Sequence, residues 1–314
     1  MAEELEVPLV IIGAGAGGMT AAMYAARAGL HTVVLDRGVP GGQMLNTTEV
    51  ENYPGLESIL GSELGLAMAR QARKFGPEFV TANVTALERV GDRFRVVTSK
   101  VHYLATAIIY ATGAQPRLLG IPGEQELRGR GVSYCAVCDG AFFKGERVAV
   151  VGGGDAAATE ALHLRHLAQR VFVIHRRDRL RARAILANRL LADDKMELVW
   201  DTIVTGIVGQ EKVEKLRLQN VKSREEGELE VAAVFVAIGL IPNTDLVKDL
   251  VELDEAGFIK TNRVMETSVP GLYAVGDVAN TPLRQIITSC ADGAIAAYYA
   301  HDYITGGPYG RSRE

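Results

Sequence analysis

Apolar positions concentrate in short runs that end in glycine-rich turns. Val7 to Ile12 is almost continuously aliphatic, as expected of a strand buried on both faces of a parallel sheet. A turn with four glycines, residues 13–18, follows it, and the alanine-rich stretch from Met19 to Ala28 predicts a helix that Gly29 ends. With a second strand predicted over Thr32 to Leu35, these segments predict a βαβ unit.

The same order of segments recurs in the second half of the chain. The apolar run Val148 to Val151 precedes the turn Gly152-Gly153-Gly154-Asp155-Ala156-Ala157. A helix to about Ala168 and a strand over Val171 to Ile174 are predicted after it. In both copies the residue that follows the second strand stands 23 positions after the first glycine. The chain therefore contains an internal repeat.

The glycine turns predict dinucleotide sites. In the first copy Gly13 permits a tight turn, Gly15 lets the backbone approach a pyrophosphate, and Gly18 lets helix and strand pack closely. Asp36, after the second strand, can accept hydrogen bonds from ribose hydroxyls. A lone glycine motif is weak evidence, whereas strand, turn, helix, strand and acid in this order are specific. The alternative is a βαβ unit that binds no ligand.

The second copy carries basic residues where the first has Asp36. His175, Arg176 and Arg177 follow its last strand, and Arg181 stands one helical turn beyond Arg177. Arginines at this position can hold a 2′-phosphate through charge-assisted hydrogen bonds. We therefore predict a dinucleotide without that phosphate at the first site and NADP(H) at the second. A solvated basic face is the alternative.

Two short apolar segments mark where the chain leaves each nucleotide unit. Ala107 to Tyr110 leads into Ala111-Thr112-Gly113, and Val234 to Ala237 leads into Ile238-Gly239. As equivalent crossovers they predict an α/β fold of two Rossmann-like, three-layer dinucleotide-binding domains, one inserted in the other. The predicted boundaries are 117–244 for the inserted domain and 1–116 with 245–314 for the discontinuous one.

The returning segment brings an acid to a glycine corner. Gly271 to Gly276 predicts a strand that ends at Asp277, and Arg284-Gln285 precedes a helix predicted to about Tyr303. Cys290 in that helix is interpreted as a small core residue.

Cys135 and Cys138 form a Cys-x-x-Cys pair between the two glycine turns. A structural zinc site normally takes four ligands, and the pair His163 and His166 leaves that alternative open. A structural disulfide across so short a loop would add little stability. We therefore favour a redox-active dithiol. Asp139 is placed to move the proton that this chemistry requires, with a local turn or cap as its alternative role.

Charge and hydropathy narrow the classes of function. A net charge of −4 over 314 residues argues against a nucleic-acid binder. The acidic start of the chain differs from a signal peptide, and the longest apolar stretch, Val231 to Ile241, is too short to span a bilayer. We expect a cytoplasmic protein with no membrane, nucleic-acid or metal partner.

With these motifs in place, the chain resembles the low-molecular-weight, bacterial-type thioredoxin reductases over essentially its full length. The most specific match is Cys135-Ala136-Val137-Cys138-Asp139-Gly140, since flavoprotein reductases in general share the glycine motifs. The other matching segments are Gly13 to Gly18, Gly41-Gly42-Gln43, Glu49 to Gly55, Ala111-Thr112-Gly113, Gly152-Gly153-Gly154, His175 to Asp178, Gly276-Asp277-Val278 and Arg284-Gln285.

The resemblance implies FAD in the first domain and NADPH in the inserted one, with Gly41 to Leu45 and Asn52 near the flavin ring, Asp277 on the ribitol and Val84 by the adenine. The implied FAD-binding residues are Gly13, Gly15, Ala16, Gly18, Asp36, Arg37, Gly41, Gly42, Gln43, Leu45, Asn52, Val84, Ala111, Thr112, Gly113, Gly276, Asp277, Arg284 and Gln285. The implied NADPH-binding residues are Gly152, Gly154, Asp155, Ala156, His175, Arg176, Arg177, Arg181, Ile238 and Gly239. Asp155 departs from the family, which often has Asn or Ser there. A carboxylate at this position can serve as a helix N-cap, but beside phosphates it would weaken their binding.

The resemblance also implies an activity. Electrons would pass from NADPH through FAD to a disulfide of Cys135 and Cys138 and then to oxidised thioredoxin, with Cys138 against the flavin and Cys135 attacking the substrate. A homodimer in the cytoplasm is implied too. Because the dithiol and the nicotinamide site share one domain, we predict alternating domain orientations with hinges near 113–118 and 240–246.

Two other functions stay open at this point. A related flavoprotein disulfide reductase would serve a peroxiredoxin or another thioredoxin-like protein. A non-catalytic nucleotide-sensing or zinc-stabilised scaffold would need no flavin.

Overall fold

A computed structural model describes residues 3–47 and 49–307. These residues form two compact units. One contains the chain up to Gln115 together with the chain from Ile241 onward, and the other is Pro116–Leu240. The domain boundaries predicted from the sequence also include residues 1, 2, 48 and 308–314, which lie outside the described residues.

The described residues contain nineteen strands and six α-helices. In the first part of the chain these are β1 (Glu3–Ile12), α1 (Ala16–Arg27), β2 (Thr32–Asp36), β3 (Glu49–Val50), β4 (Ile59–Leu60), α2 (Gly61–Arg73), β5 (Glu78–Thr81), β6 (Val84–Val90), β7 (Arg93–Thr98), β8 (Val101–Tyr110) and β9 (Ala114–Pro116). They continue with β10 (Val132–Ser133), α3 (Ala136–Asp139), β11 (Arg147–Val151), α4 (Asp155–Leu164), β12 (Arg170–Ile174), α5 (Ala184–Leu191), β13 (Met196–Val199), β14 (Thr202–Val208), β15 (Lys215–Asn220), β16 (Glu226–Glu230) and β17 (Ala233–Val236). The last elements are β18 (Leu240–Pro242), β19 (Leu272–Ala274) and α6 (Ile286–Thr305).

The first unit is built on a seven-stranded sheet in the order β5-β2-β1-β8-β7-β6, with β19 also paired to β8. The strands β5, β2, β1, β8 and β19 run parallel, and β6, β7 and β8 pair antiparallel. Successive side chains of a strand point to opposite faces. Leu9 and Ile11 of β1 pack with residues of α1 and α6, whereas Val10 and Ile12 pack with residues of β7 and the 246–259 segment. The parallel sheet is thus covered on both faces.

The second unit repeats this plan. Its five parallel strands lie in the order β10-β17-β11-β12-β13, and β14, β15 and β16 form an antiparallel sheet. Val148 and Val150 of β11 pack with residues of α4, while Ala149 and Val151 pack with residues of β14 and β15. The predicted α/β class with parallel sheets is confirmed.

The internal repeat also appears in the backbone hydrogen bonds. In each unit the first glycine of the turn donates to the last apolar residue of the next strand. The equivalent bonds run from Gly13 N to Leu35 O (2.8 Å) and from Gly152 N to Ile174 O (3.1 Å). Both glycine turns are therefore held at the carboxyl end of a parallel sheet, which is where α/β folds bind ligands.

The elements differ from the predicted ones mainly at their ends. The structure begins β1 at Glu3 and β8 at Val101, where the sequence predicts strands from Val7 and Ala107. The added residues pair with each other, Glu3 opposite Val101, but residues 3–6 are exposed. A prediction from apolar runs misses the start of β1 because exposed positions need no apolar side chain.

No helix within residues 3–47 and 49–307 is long and apolar enough to cross a membrane.

Candidate active site

Cys135 and Cys138 are joined by a disulfide in the second unit, so the predicted pairing of these cysteines is confirmed. Cys135 caps the short helix α3, and the amide of Cys138 donates to Cys135 Sγ at 3.2 Å. Val137 between them is 47% exposed, which places the pair at the surface of its unit. A donor aimed at a sulfur stabilises negative charge on it.

The carboxyl of Asp139 is held by Ser133. Ser133 Oγ donates to Asp139 Oδ2 at 2.6 Å and accepts the N–H of Cys135 at 3.1 Å. Burial raises the pKa of Asp139, and the hydrogen bond from Ser133 lowers it. One hydroxyl thus ties the acid to the backbone of the first cysteine. Ser133 is not among the residues predicted from the sequence, where its only signal is a polar residue after an apolar one.

The first glycine turn is shaped by steric necessity. A Cβ on Gly13, which has φ +106°, would stand 2.4 Å from Ala111 O, and one on Gly18 would stand 1.9 Å from Gly13 O. A Cβ on Gly15 would meet nothing within 4 Å. Gly13 and Gly18 therefore allow the backbone to close, and Gly15 borders the open space that a pyrophosphate needs.

Asp36 closes this turn from the end of β2. Its Oδ2 accepts the N–H of Ala14 at 2.7 Å, and its Oδ1 accepts the N–H of Gly38 at 2.8 Å. Each carboxylate oxygen has a second lone pair, so the group can still accept from a ribose hydroxyl. Arg37 is exposed beside it, and Val84 begins β6.

The 41–45 turn is tied to the crossover that leaves the first unit. Gln43 Nε2 donates to Ala114 O at 3.1 Å, and Gly41 N donates to Ala14 O at 2.8 Å. Leu45 is 39% exposed. Asn52 Nδ2 donates to Gln285 Oε1 at 3.1 Å, although the two residues are 233 positions apart in the sequence. The resemblance assigns both residues to the FAD site.

Asp277 occupies the glycine corner after β19. Its neighbour Gly276 has φ +70° and donates its N–H to Asp292 Oδ2 at 3.1 Å. Burial raises the pKa of Asp277, Arg284 lowers it, and Asp292 raises it. Arg284 stacks over the ring of Phe258 at 4.0 Å, and its guanidinium donates to the backbone carbonyls of Asp277 at 3.5 Å and Ala279 at 3.3 Å.

The Ala111-Thr112-Gly113 segment is fixed by Asn243. Asn243 Nδ2 donates to Thr112 O at 2.7 Å, and its N–H donates to Gly113 O at 3.0 Å. In return, the Thr112 and Tyr110 hydroxyls both donate to Asn243 O at 2.9 Å. Four hydrogen bonds thus join the two chain segments of the first unit at the crossovers, and this role of Asn243 could not be predicted from the sequence.

The second glycine turn follows the same steric logic. A Cβ on Gly152 would stand 2.4 Å from Ala237 O, whereas one on Gly154 would meet nothing within 4 Å. Ala156 is exposed in the first turn of α4. Ile238 is 37% exposed and Gly239 has φ +111°, so the strand end beside the turn is also open.

His175 lies beneath this turn. A Cβ on Gly153 would stand 2.3 Å from the imidazole ring, which is 4% exposed. Burial lowers the pKa of His175, and the charges of Arg181, Arg177 and Arg176 lower it further. The ring is therefore neutral at pH 7 and supports the turn from below. Its predicted contact with the cofactor stays a prediction.

The arginines form an exposed loop that is anchored to the turn. Arg181 N and Ala182 N donate to Gly153 O at 2.6 and 3.1 Å. Asp155 holds the same loop, because its Oδ1 accepts the N–H of Arg183 and its Oδ2 pairs with Arg183 Nε, both at 2.7 Å. The structure therefore brings the glycine turn and the arginine loop together.

Comparison with known proteins decides the family. Residues 7–293 match the pyridine nucleotide-disulphide oxidoreductase family. The thioredoxin reductase of Listeria innocua is 47% identical over 304 residues, which are 96% of this chain and 95% of the relative. This chain belongs to the thioredoxin reductases. The family resemblance found in the sequence is thereby confirmed.

Solved structures of thioredoxin reductases agree with this assignment. The structure from Streptococcus pyogenes is 45% identical with a TM-score of 0.92, and coverage is 96% of this chain and 99% of that one. The structure from Lactococcus lactis, described as an FR conformation, is 46% identical with a TM-score of 0.66 at the same coverage.

Thioredoxin reductases of this family use FAD and NADPH, and the residues present fit both groups. Each glycine turn leaves open space at the glycine where a pyrophosphate would lie, Gly15 in one unit and Gly154 in the other. Asp36 has spare acceptor capacity for a ribose, and the exposed arginines can hold a 2′-phosphate. Among the described residues, no group of three or more His, Cys, Asp or Glu could hold a metal ion.

Replacing Asp155 with alanine is expected to raise KM for NADPH about threefold to tenfold and to leave kcat nearly unchanged. The reason is the loss of a charge-assisted hydrogen bond that anchors the arginine loop, which is worth roughly 1 kcal/mol. Steady-state kinetics with varied NADPH measure this effect. The control is Asp194→Ala, an exposed aspartate beyond α5. A lower KM in Asp155→Ala would instead mean that repulsion of the phosphates outweighs the anchor.

Proposed function

We propose that this chain reduces oxidised thioredoxin with electrons from NADPH, which reach the Cys135–Cys138 pair through FAD. The observation that carries the proposal is the Cys135–Cys138 disulfide, with the acid Asp139 beside it, in the unit that also holds the anchored arginine loop. A scaffold would have no use for this combination, and a reductase needs each part of it.

The bound FAD supplies the coupling between hydride transfer from NADPH and two-electron reduction of a disulfide. The other steps belong to the protein. The Cys135 thiolate attacks one sulfur of the substrate disulfide, which forms a mixed disulfide and releases the first substrate thiolate. Cys138 then attacks Cys135 Sγ, which restores the Cys135–Cys138 bond and releases the second. Asp139 is the group placed to exchange protons with these sulfurs.

The nature of the acceptor is tested by competing substrates. With NADPH and the holoenzyme, kcat/KM for a purified oxidised thioredoxin should exceed that for a peroxiredoxin disulfide by about a hundredfold or more. The reverse order would favour the related reductase that serves a peroxiredoxin. A purified protein without flavin absorbance would contradict both functions and favour a scaffold.

The proposal assigns FAD to residues 1–116 with 245–314 and NADPH to residues 117–244. The disulfide and the nicotinamide site then share one domain, and each must reach the flavin of the other in turn. The two domains therefore alternate between orientations, with hinges near 113–118 and 240–246. The different TM-scores of two relatives at nearly equal identity and coverage support this proposal, since a family with several domain arrangements would show such a spread.

A fluorophore on each domain is expected to show two distances between the labels, one for each domain orientation, with molecules exchanging between them. Asp92 and Asp194 are exposed positions on different units, and unnatural side chains there allow labelling without new cysteines. Single-molecule energy transfer should show two populations whose ratio changes on reduction by NADPH. One distance that is unaffected by redox state and cofactor would contradict the alternation.

The proposed enzyme is a homodimer that uses an apolar surface of the first unit. Helices α1, α2 and α6 border a groove of about 290 Å³ lined by Met19, Met23, Tyr24, Met68 and Ile287, among others. Tyr24 is 45% exposed and Ile287 41% exposed. An apolar patch of this kind marks an interaction surface, and a patch that contacts its own copy closes a dimer.

Sedimentation of the holoenzyme should therefore give twice the mass of one chain. Tyr24→Glu should shift the measured mass toward that of the monomer, since burying an unpaired charge in an interface costs several kcal/mol. Leu191→Glu is the matched control, because Leu191 is 58% exposed on α5 of the other unit. A wild-type monomer at micromolar concentration would contradict the dimer.

The proposed location is the cytoplasm. A dithiol that cycles suits a reducing compartment, where a resting disulfide is not trapped in the oxidised form. Fractionation of cells that produce the protein tests this, and recovery outside the cytoplasmic fraction would contradict it.

A further inference from the structure

Glu160 is a half-buried acid close to the disulfide helix. It lies on α4, and α4 packs against the segment that follows α3, because a Cβ on Gly140 would stand 3.0 Å from Leu164 Cδ2 and 3.8 Å from His163 Cδ2. Glu160 Oε2 is buried, and it has no hydrogen-bond partner among the residues that the structure describes. A buried carboxylate oxygen without a partner is costly to charge, so the group favours its protonated form.

The charges around Glu160 set the order in which the two acids ionise. Burial raises the pKa of Glu160 to about 7, and the charge of Asp139 adds to this increase. The hydrogen bond from Ser133 opposes the effect of burial on the pKa of Asp139, whereas Glu160 Oε2 has no such partner among the described residues. His163 lies one turn further along α4, and Arg189, the charged residue of α5, is exposed. Below about pH 7 the pair therefore holds one proton, mainly on Glu160.

The reaction needs one such proton. Reduction of a disulfide by NADPH consumes NADPH, one proton and the disulfide, and it yields NADP⁺ and two thiols. The hydride carries the electron pair, and the remaining proton comes from solvent. An acid near the sulfurs must deliver this proton and then be recharged.

Resting on the proposed function, we propose that Glu160 is a positioning residue for this proton: its half-buried carboxyl stores the proton near Asp139 and passes it to Asp139 for each delivery to a sulfur. Glu160 itself acts through Asp139. Asp139 takes the proton of Glu160 and passes it to a thiolate, and Glu160 is then reprotonated from solvent. This assigns a role to an acid that neither glycine turn uses.

The test is the pH dependence of kcat in the Glu160→Gln holoenzyme, measured with NADPH and thioredoxin between about pH 6 and about pH 9. The active form of Glu160 is protonated, so kcat of the wild type should fall as pH rises through about 7. Glutamine cannot deliver a proton. The variant should therefore show no such fall of kcat with pH. Its kcat should be about threefold to tenfold lower than that of the wild type below about pH 7 and equal to it above, with unchanged KM values. If kcat of Glu160→Gln still falls with rising pH as it does in the wild type, the proposal is overturned.

Infrared spectroscopy gives a readout that is independent of turnover. The wild type should show a protonated carboxyl band that disappears with a midpoint near 7, and Asp139→Asn should move this midpoint to lower pH by removing the neighbouring charge. Glu146→Gln, an exposed glutamate of the same unit, should change neither the band nor the pH profile. Absence of the band overturns the proposal even where Glu160→Gln fails to fold. A wild type with the band but without thioredoxin reduction would instead contradict the proposed function.

Discussion

Cys138→Ser is expected to lower NADPH-dependent reduction of thioredoxin by at least about a thousandfold. A serine hydroxyl cannot form a disulfide, so the pair can no longer accept two electrons. Nothing is then left to attack Cys135 Sγ and release a substrate bound there. The glycine turns do not depend on this sulfur, and the FAD content of the variant should be unchanged. A coupled assay with excess thioredoxin measures the loss, and flavin absorbance measures the cofactor.

The chain supplies its own control in Cys290. This third cysteine lies in α6, is 8% exposed, and contacts the Tyr53 hydroxyl at 3.9 Å. Burial raises the pKa of the Cys290 thiol, which keeps it protonated and unreactive at neutral pH. Cys290→Ser should therefore retain nearly full turnover. Activity that survives in Cys138→Ser, or an equal loss in Cys290→Ser, would contradict the assigned chemistry.

The glycine turns could be predicted from the sequence because their requirements are local. Gly13, Gly18 and Gly152 each stand where a Cβ would come within 2.4 Å of a backbone oxygen. Spacing alone identifies such positions, since the geometry of a strand, tight turn and helix is the same in every chain that forms it. The Cys-x-x-Cys was predictable for a similar reason, because its two sulfurs are three residues apart.

Partners distant in sequence could not be predicted in this way. Asp155 reads in isolation as a charge that opposes phosphate binding, but its partner Arg183, 28 positions away, neutralises it. The bond from Asn243 to Thr112 spans 131 positions. Glu160 looks like an ordinary helical glutamate in the sequence, but packing leaves its Oε2 buried without a partner among the described residues and raises its pKa. Tertiary packing determines which polar residues are buried and paired, so a local sequence pattern does not predict them.

Arg176→Ala combined with Arg177→Ala is expected to lower kcat/KM for NADPH by about a hundredfold and to change kcat/KM for NADH little. Each guanidinium can form charge-assisted hydrogen bonds to a 2′-phosphate, worth about 1.5 to 3 kcal/mol when well formed. Both side chains are exposed, so the lower end of that range applies, and two such contacts amount to roughly 3 kcal/mol. Kinetics with both nucleotides give the ratio directly.

Arg189→Ala is the matched control, since Arg189 is an exposed arginine of the same unit that lies on α5, outside the loop. It should preserve the preference, and salt should weaken NADPH binding in the wild type more than in the double variant because screening acts on the phosphate contact. An unchanged preference in the double variant would mean that the exposed arginines only solvate this face. The anchoring of the loop to Gly153 O argues against that outcome, because a loop that merely faced solvent would gain nothing from two backbone bonds to the glycine turn.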